Sequence, residues 1–195
     1  MSEVGAPSAI DQALAQLRDP EPEVRVRAVR RLRVIGGPQA VSAILRALDD
    51  PAEPVRAYAA IGLGKLEARE VVPDLIARLR SDQSEQAREI CAFALQEIGD
   101  PRAVPPLIKA LQDPSDRVVW LACHGLASLD GPRAIESLLP LLNHPQTSIM
   151  QAACSALVRL GAKDDRVAAA LEKLAQGAPG RVGSRMVALL SSPFA

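Results

Sequence analysis

Residues 82–111 read DQSEQAREICAFALQEIGDPRAVPPLIKAL and contain two helical patterns in succession. In the first, apolar residues are separated by four, four and three positions and therefore share one side of a helix: Ala87, Cys91, Leu95 and Ile98. Gly99 follows and predicts the end of this helix, because glycine readily adopts the left-handed conformation. A second apolar stripe predicts a second helix and consists of Val104, Leu107, Ile108 and Leu111.

The same pattern recurs along the chain. Leucines at intervals of 31, 32, 31 and 31 residues mark the equivalent position of five first helices: Leu32, Leu63, Leu95, Leu126 and Leu157. A unit of about 30 residues cannot bury its apolar face alone, so successive units must stack on one another. The period therefore predicts an all-α solenoid.

The turns between units also repeat. Asp-Pro pairs open several of them, whereas the last turn has His144-Pro145. An arginine then recurs at one place in the first three repeats, as Arg25, Arg56 and Arg88. We expect these arginines to form Asp–Arg contacts with Asp19, Asp50 and Asp82 along the stack.

Composition limits the classes of partner. Of 195 residues, 48% are hydrophobic but only 2% are aromatic, and 23 basic residues balance 23 acidic ones. Such a chain lacks the basic, base-stacking surface that nucleic-acid binding needs, so we expect no nucleic-acid partner. The opening MSEVGAPSAI has no signal-peptide pattern, and no run approaches the roughly 20 apolar residues of a membrane span. These features predict a soluble cytoplasmic protein with no membrane partner.

The three cysteines fall within helical patterns, which favours small buried hydrophobes in a reducing compartment. A metal site built from Cys123, His124 and Cys154 is the alternative. It is disfavoured because consecutive residues of a helix point about 100° apart. We therefore expect neither a metal nor a cofactor.

One repeat unit resembles a known family. It runs Asp-Pro-x-x-x-Val-Arg, then alanine, leucine and glycine, then Pro-x-Ala-Val-x-x-Leu-Ile-x-x-Leu, and is similar to the short HEAT-like repeat of the phycobilisome-lyase type. DPEPEVRVRAVRRL (residues 19–32) and GDPRAVPPLIKAL (residues 99–111) carry the resemblance. It implies a right-handed α-solenoid with first helices on the convex side and second helices on the concave side. Members include bilin lyases, but the repeat also occurs in proteins that only bind other proteins.

We expect one domain over residues 1–195, with half-repeat capping helices at 8–18 and 179–191. Between the caps lie about five helix pairs, at approximately 19–49, 50–81, 82–112, 113–143 and 144–175. Within them, Gly62-x-Gly64 predicts close helix packing, and Pro140 should bend or end a second helix because it removes a backbone hydrogen bond.

No residues predict catalysis. The two histidines are followed by Gly125 and Pro145, so neither forms a His-Glu pair of the kind that binds iron in similar repeat proteins. The chain has no phosphate-binding loop and no nucleophile with an evident base. The sequence therefore favours a non-enzymatic protein.

Departures from the repeat pattern point to two candidate protein-binding surfaces. The first-helix patch, expected on the convex side, has apolar or aromatic residues where polar ones should occur: Phe93, Val119, Trp120, His124 and Met150. The second-helix ridge, expected on the concave side, has mixed charge: Asp74, Arg102, Lys109, Arg133 and Glu136. Scattered exposed apolar residues or a shifted helix are the alternative for the patch, and a solvated face is the alternative for the ridge.

The functional expectation is a protein-binding scaffold or adaptor. The sequence specifies neither the partner nor the oligomeric state. The family resemblance alone implies the alternative, a bilin lyase or bilin-protein chaperone that acts on phycobiliproteins.

Overall fold

The structure is a computed structural model that describes residues 7–129, 132–160 and 165–177. The chain divides into two compact units, Met1–Asp100 and Pro101–Ala195. Within the described residues every regular element is helical, which confirms the all-α prediction. The predicted capping helix at 179–191 lies outside the described residues, and a single domain over the whole chain stays a prediction.

The described residues of the first unit, 7–100, form six α-helices, among which α2 packs on α1, α3 and α4, and α6 packs on α4 and α5. Short 3-10 turns lie at Ala47–Asp49 and Arg69–Val71. The helices are α1 Ala9–Gln16, α2 Pro22–Ile35, α3 Gly37–Arg46, α4 Glu53–Lys65, α5 Val72–Ser81 and α6 Glu85–Ile98.

In the described part of the second unit, the first helix α8 packs on the second helix α7 and on the next first helix, α10. The helices are α7 Val104–Ala110, α8 Asp116–Ser128, α9 Ile135–Leu138, α10 Thr147–Leu160 and α11 Asp165–Gly177. Pro140 ends the α-helical part of its second helix, as predicted: α9 stops at Leu138, and Leu139–Asn143 continues as a 3-10 helix.

Local sequence signals define several helix ends. The Ser84 hydroxyl accepts a hydrogen bond from the backbone N–H of Ala87, and Ser115 caps α8 in the same way through Val118. Gly99 closes α6 in the left-handed conformation with φ 71°. Prolines occupy the first turn of several helices, where the missing N–H has no intrahelical partner.

The periodic leucines form the core, as the sequence predicts. Leu32, Leu63, Leu95, Leu126 and Leu157 are all completely buried, and so are the alanines and the cysteine four positions before them. The stripe weakens at its last position, where Ile35 is 40% exposed. The equivalent Ile98, which is likewise the final residue of its helix, is only 5% exposed, so the position at a helix end does not by itself expose this side chain.

A side-chain acceptor at the start of each repeat fixes the turn. Four aspartates accept a hydrogen bond at 2.9 Å from the backbone N–H two residues later: Asp19, Asp50, Asp82 and Asp113. In the last turn, His144 uses its Nδ1 to accept from the N–H of Gln146 at 3.2 Å. His144 therefore replaces the aspartate as the side-chain hydrogen-bond acceptor of the turn.

The recurring arginines Arg25, Arg56 and Arg88 each donate hydrogen bonds to backbone carbonyls of the turn that precedes their helix. Arg25 Nη1 donates to the backbone carbonyls of Asp19 and Pro20 at 2.8 and 2.9 Å. Its charged partner is Asp50 of the next turn, which accepts from Nε and Nη2 at 2.7 and 2.8 Å. Arg25 thus joins two successive turns, and both side chains are only 11% exposed.

In repeats four and five, Val119 and Met150 stand where the first three repeats have an arginine, and a different hydrogen bond joins the turns. Gln146 Nε2 donates to Asp116 Oδ2 at 2.6 Å. The connection between turns is therefore kept without the arginine.

Helices α4 and α6 approach most closely at Gly64. A Cβ placed on Gly64 would lie 2.6 Å from the backbone oxygen of Glu97, whereas one on Gly62 would lie 3.5 Å from the nearest atom of the Ile44 side chain. The prediction of close packing is confirmed, and Gly64 is the residue that requires it.

We expect Gly64→Ala and Gly62→Ala to change stability in opposite directions. Gly64→Ala must push α6 away from α4 and should destabilise the fold by about 1–3 kcal/mol. Gly62→Ala fits and gains helix propensity of up to about 1 kcal/mol. Urea unfolding of both variants measures the difference, and equal midpoints would contradict the close approach.

The Asp50–Arg25 pair predicts acid sensitivity. Burial raises the pKa of Asp50, but the hydrogen bonds from Arg25 and Ala52 and the charges of Arg25 and Arg56 lower it by more, so the net pKa lies below the ordinary value. Its stabilising contribution is therefore complete above the unfolded pKa of about 3.9 and is lost as the pH falls through the lower folded value. In urea titrations, the stability difference between wild type and Asp50→Asn should shrink below about pH 4. A pH-independent difference would show that the charge contributes nothing.

Candidate protein-binding surfaces

The first-helix patch contains an exposed aromatic pair. Trp120 on α8 is 37% exposed, and the ring of His124, one turn later, lies with its centroid 4.1 Å away at an interplanar angle of 49°. Residues four apart on a helix lie on the same side, which explains the contact. Trp120 and the half-buried His124 together present a partly apolar surface on the outside of α8.

The environment of His124 keeps its ring neutral. Burial lowers the pKa of His124 below its ordinary value, and the positive charge of Arg159 on α10 lowers it further. A neutral imidazole costs less to desolvate than a charged one when another surface covers it. The Trp120–His124 pair is therefore suited to apolar contact at neutral pH.

One assignment in the patch is wrong. Val119 is only 4% exposed and packs inside the second unit. Helix α8 lies against both α7 and α10, so its buried side is wider than the stripe used to predict it and includes the residue after Val118. Phe93 on α6 and Met150 on α10 are half-buried, so each contributes a smaller apolar area in its own unit.

All five ridge residues are exposed. Asp74 lies on α5 of the first unit, and the other four lie in the second: Arg102 in the turn Pro101–Ala103, Lys109 on α7, Arg133 in the turn Pro132–Ala134 and Glu136 on α9. Glu136 forms an ion pair with Arg166 of α11. Sequence reasoning missed Arg166, although the spacing of 30 residues between the two partners matches the repeat period.

The described residues do not favour metal or thiol chemistry. No group of three histidine, cysteine or acidic side chains among them is placed to hold a metal ion. Burial raises the pKa of Cys91 and of Cys123 to about 12 and raises that of Cys154. The three thiols are therefore protonated and enclosed. No helix in the described ranges has the length and apolar character needed to cross a bilayer.

Comparison with protein families matches HEAT repeats to three overlapping stretches, residues 10–96, 72–157 and 120–190. The bilin biosynthesis protein PecE of Nostoc sp. (strain PCC 7120 / SAG 25.82 / UTEX 2576) is 46% identical over 54 residues. That match covers 28% of this chain and only 21% of the relative. The likeness to PecE is therefore local.

Solved structures extend the likeness to nearly the whole chain. A chain in the complex of CpcE and CpcF of phycocyanin lyase from Nostoc sp. PCC7120 superposes with a TM-score of 0.63 at 27% identity, covering 95% of this chain and 76% of that chain. A designed armadillo repeat protein in complex with the peptide (KR)4 gives a TM-score of 0.62 at 21% identity, covering 94% and 98%. These matches confirm the α-solenoid fold and the resemblance to repeats of the phycobilisome-lyase type.

The thiols should be unreactive in the native protein. At about pH 8, burial and the raised pKa values leave almost no accessible thiolate, so a thiol-reactive disulfide should label none of Cys91, Cys123 and Cys154 within minutes. In denaturant all three should react at once. Rapid native labelling of one cysteine, located by peptide mass spectrometry, would show that its helix is not packed as described.

Proposed function

Because the chain belongs to the HEAT-repeat family, we propose that it is a non-enzymatic scaffold or adaptor that binds another protein through the outer surface of α8. The observation that carries the proposal is the exposed Trp120–His124 pair. Trp120 is the single tryptophan in a chain with 2% aromatic residues. Tryptophan is enriched among the residues that dominate binding energy at protein interfaces.

The surroundings of the pair support the same surface. The imidazole is held neutral, and half-buried Met150 adds apolar area on α10, the helix that packs against α8. Methionine adapts its shape to irregular partners. Solved relatives also associate with proteins or peptides: the CpcE–CpcF structure is a complex of two proteins, and the designed armadillo protein holds a peptide.

Trp120→Ala should weaken partner binding without unfolding the protein. We expect a nearly unchanged melting temperature and at least about a fivefold loss of affinity, which corresponds to about 1 kcal/mol. The measurement is affinity capture from the native host with quantitative mass spectrometry, followed by titration of the recovered partner. Self-association is measured in parallel by sedimentation.

Tyr58→Ala is the matched control, because Tyr58 is 39% exposed on a first helix of the first unit, outside the patch. It should leave binding unchanged. If Trp120→Ala binds the partner as wild type does, or Tyr58→Ala weakens it equally, the α8 surface is not the site. The second-helix ridge is then tested with Arg102→Ala/Arg133→Ala.

The second candidate is a bilin lyase or bilin-protein chaperone acting on phycobiliproteins. Its support is the identity with PecE and the fold shared with the phycocyanin lyase complex. The buried thiols argue against a covalent bilin intermediate on this chain, because none of them is accessible to a chromophore. Co-expression with a phycobiliprotein subunit and a bilin separates the two candidates. Our proposal predicts no increase in covalently attached chromophore, and such an increase would establish the lyase.

A further inference from the structure

A cleft of about 410 Å³ opens in the first unit between the second helices α1 and α3. This size falls within the roughly 300–1,000 Å³ of typical ligand-binding pockets. Its apolar floor is made by Leu14, Leu17, Ala43 and Ala47, and two arginines, Arg18 and Arg46, line it as well. None of these residues belongs to the patch or to the ridge.

The space has a simple origin in side-chain size. The only apolar side chains that line the cleft opposite the two leucines of α1 are the small ones of Ala43 on α3 and Ala47 in the turn after it. Helix α1 packs mainly on α2, so α3 does not close over it. Leu14 and Leu17 consequently stay half-buried and keep apolar surface available at the cleft.

The cleft carries positive charge that nothing in the described structure neutralises. Arg18 and Arg46 are exposed, and within the described part of the chain neither side chain forms a hydrogen bond or an ion pair. Asp50 also lines the cleft, but its carboxylate is held by Arg25 and by the N–H of Ala52. The guanidinium groups of Arg18 and Arg46 therefore lie beside an apolar floor with no other charged group of the described residues bound to them.

We propose that this cleft binds an acidic peptide segment of a partner protein, and the proposal rests on the protein-binding function given above. An apolar side chain of the peptide occupies the floor, and its carboxylates pair with Arg18 and Arg46. Arginine binds carboxylates through two parallel hydrogen bonds, which fixes the peptide's orientation.

The arginines must supply nearly all the attraction for the carboxylates. Arg46 is the last residue of α3, and Arg18 follows the end of α1. The carbonyls at a helix C-terminus carry partial negative charge and repel a carboxylate. Removal of the arginines should therefore abolish the preference for acidic peptides, and added salt should weaken binding.

The test is a fluorescence-anisotropy titration with the full chain. The probes are rhodamine-labelled eight-residue peptides in which leucine alternates with glutamate, with serine or with lysine. We expect the glutamate peptide to bind at least about tenfold more tightly than the serine peptide. The lysine peptide should not bind.

The variants identify the residues responsible. Arg18→Gln/Arg46→Gln should reduce affinity for the glutamate peptide about tenfold, and Arg18→Glu/Arg46→Glu should transfer the preference to the lysine peptide. Arg27→Gln/Arg31→Gln is the control, because both arginines are exposed on α2 outside the cleft and should leave binding unchanged. All four positions carry exposed side chains, and circular dichroism verifies that each variant is folded.

Equal binding of the glutamate and serine peptides, no binding of the glutamate peptide, or an equal loss in the Arg27/Arg31 control would overturn the proposal. These outcomes are distinguishable from a failure of the proposed function. If the peptide does not bind but Trp120→Ala still weakens partner capture, the chain is a protein-binding scaffold whose cleft is not used.

Discussion

A helix pair of this length has more apolar surface than it can cover by itself, and the whole structure depends on that constraint. The leucine of each first helix is completely buried only because neighbouring helices cover it, as α4 and α5 do for α6. Some apolar side chains of the first unit are not fully covered in this way. Ile35, Leu14 and Leu17 are among them, and part of their apolar surface is open to solvent or to a partner.

Hydrogen bonds between the turns set the register between successive repeats. Apolar stripes tolerate sliding, whereas a bond between two turns does not. Arg25 donates to the carbonyls of one turn and to the carboxylate of the next, so it fixes the distance between the two turns. Where the arginine is absent, Gln146 reaches Asp116, and His144 keeps the turn acceptor through its imidazole nitrogen. Different side chains thus meet the same geometric requirement.

The helical stack and its core were predictable from the sequence, because the same buried leucine position recurs in five repeats. The leucines, the effect of Pro140 and the close approach at Gly64 follow from residue type and position. Val119 was misplaced because one stripe cannot show that α8 is covered by two helices. The choice of Asp50 as the partner of Arg25, and the cleft beside Arg46, depend on how far apart neighbouring repeats lie in space. The spacing of residues along the sequence does not give these distances.

Burial of each apolar stripe by neighbouring helices holds the stack together, and one pair of substitutions tests this most directly. Leu95 and Ile35 both lie on the apolar stripe of a first helix, but Leu95 is completely buried and Ile35 is partly exposed. In urea unfolding, Leu95→Ala should lower the free energy of unfolding by about 2–5 kcal/mol. Ile35→Ala should cost clearly less, because that side chain is already 40% exposed. Equal losses, or an unchanged midpoint for Leu95→Ala, would contradict the account.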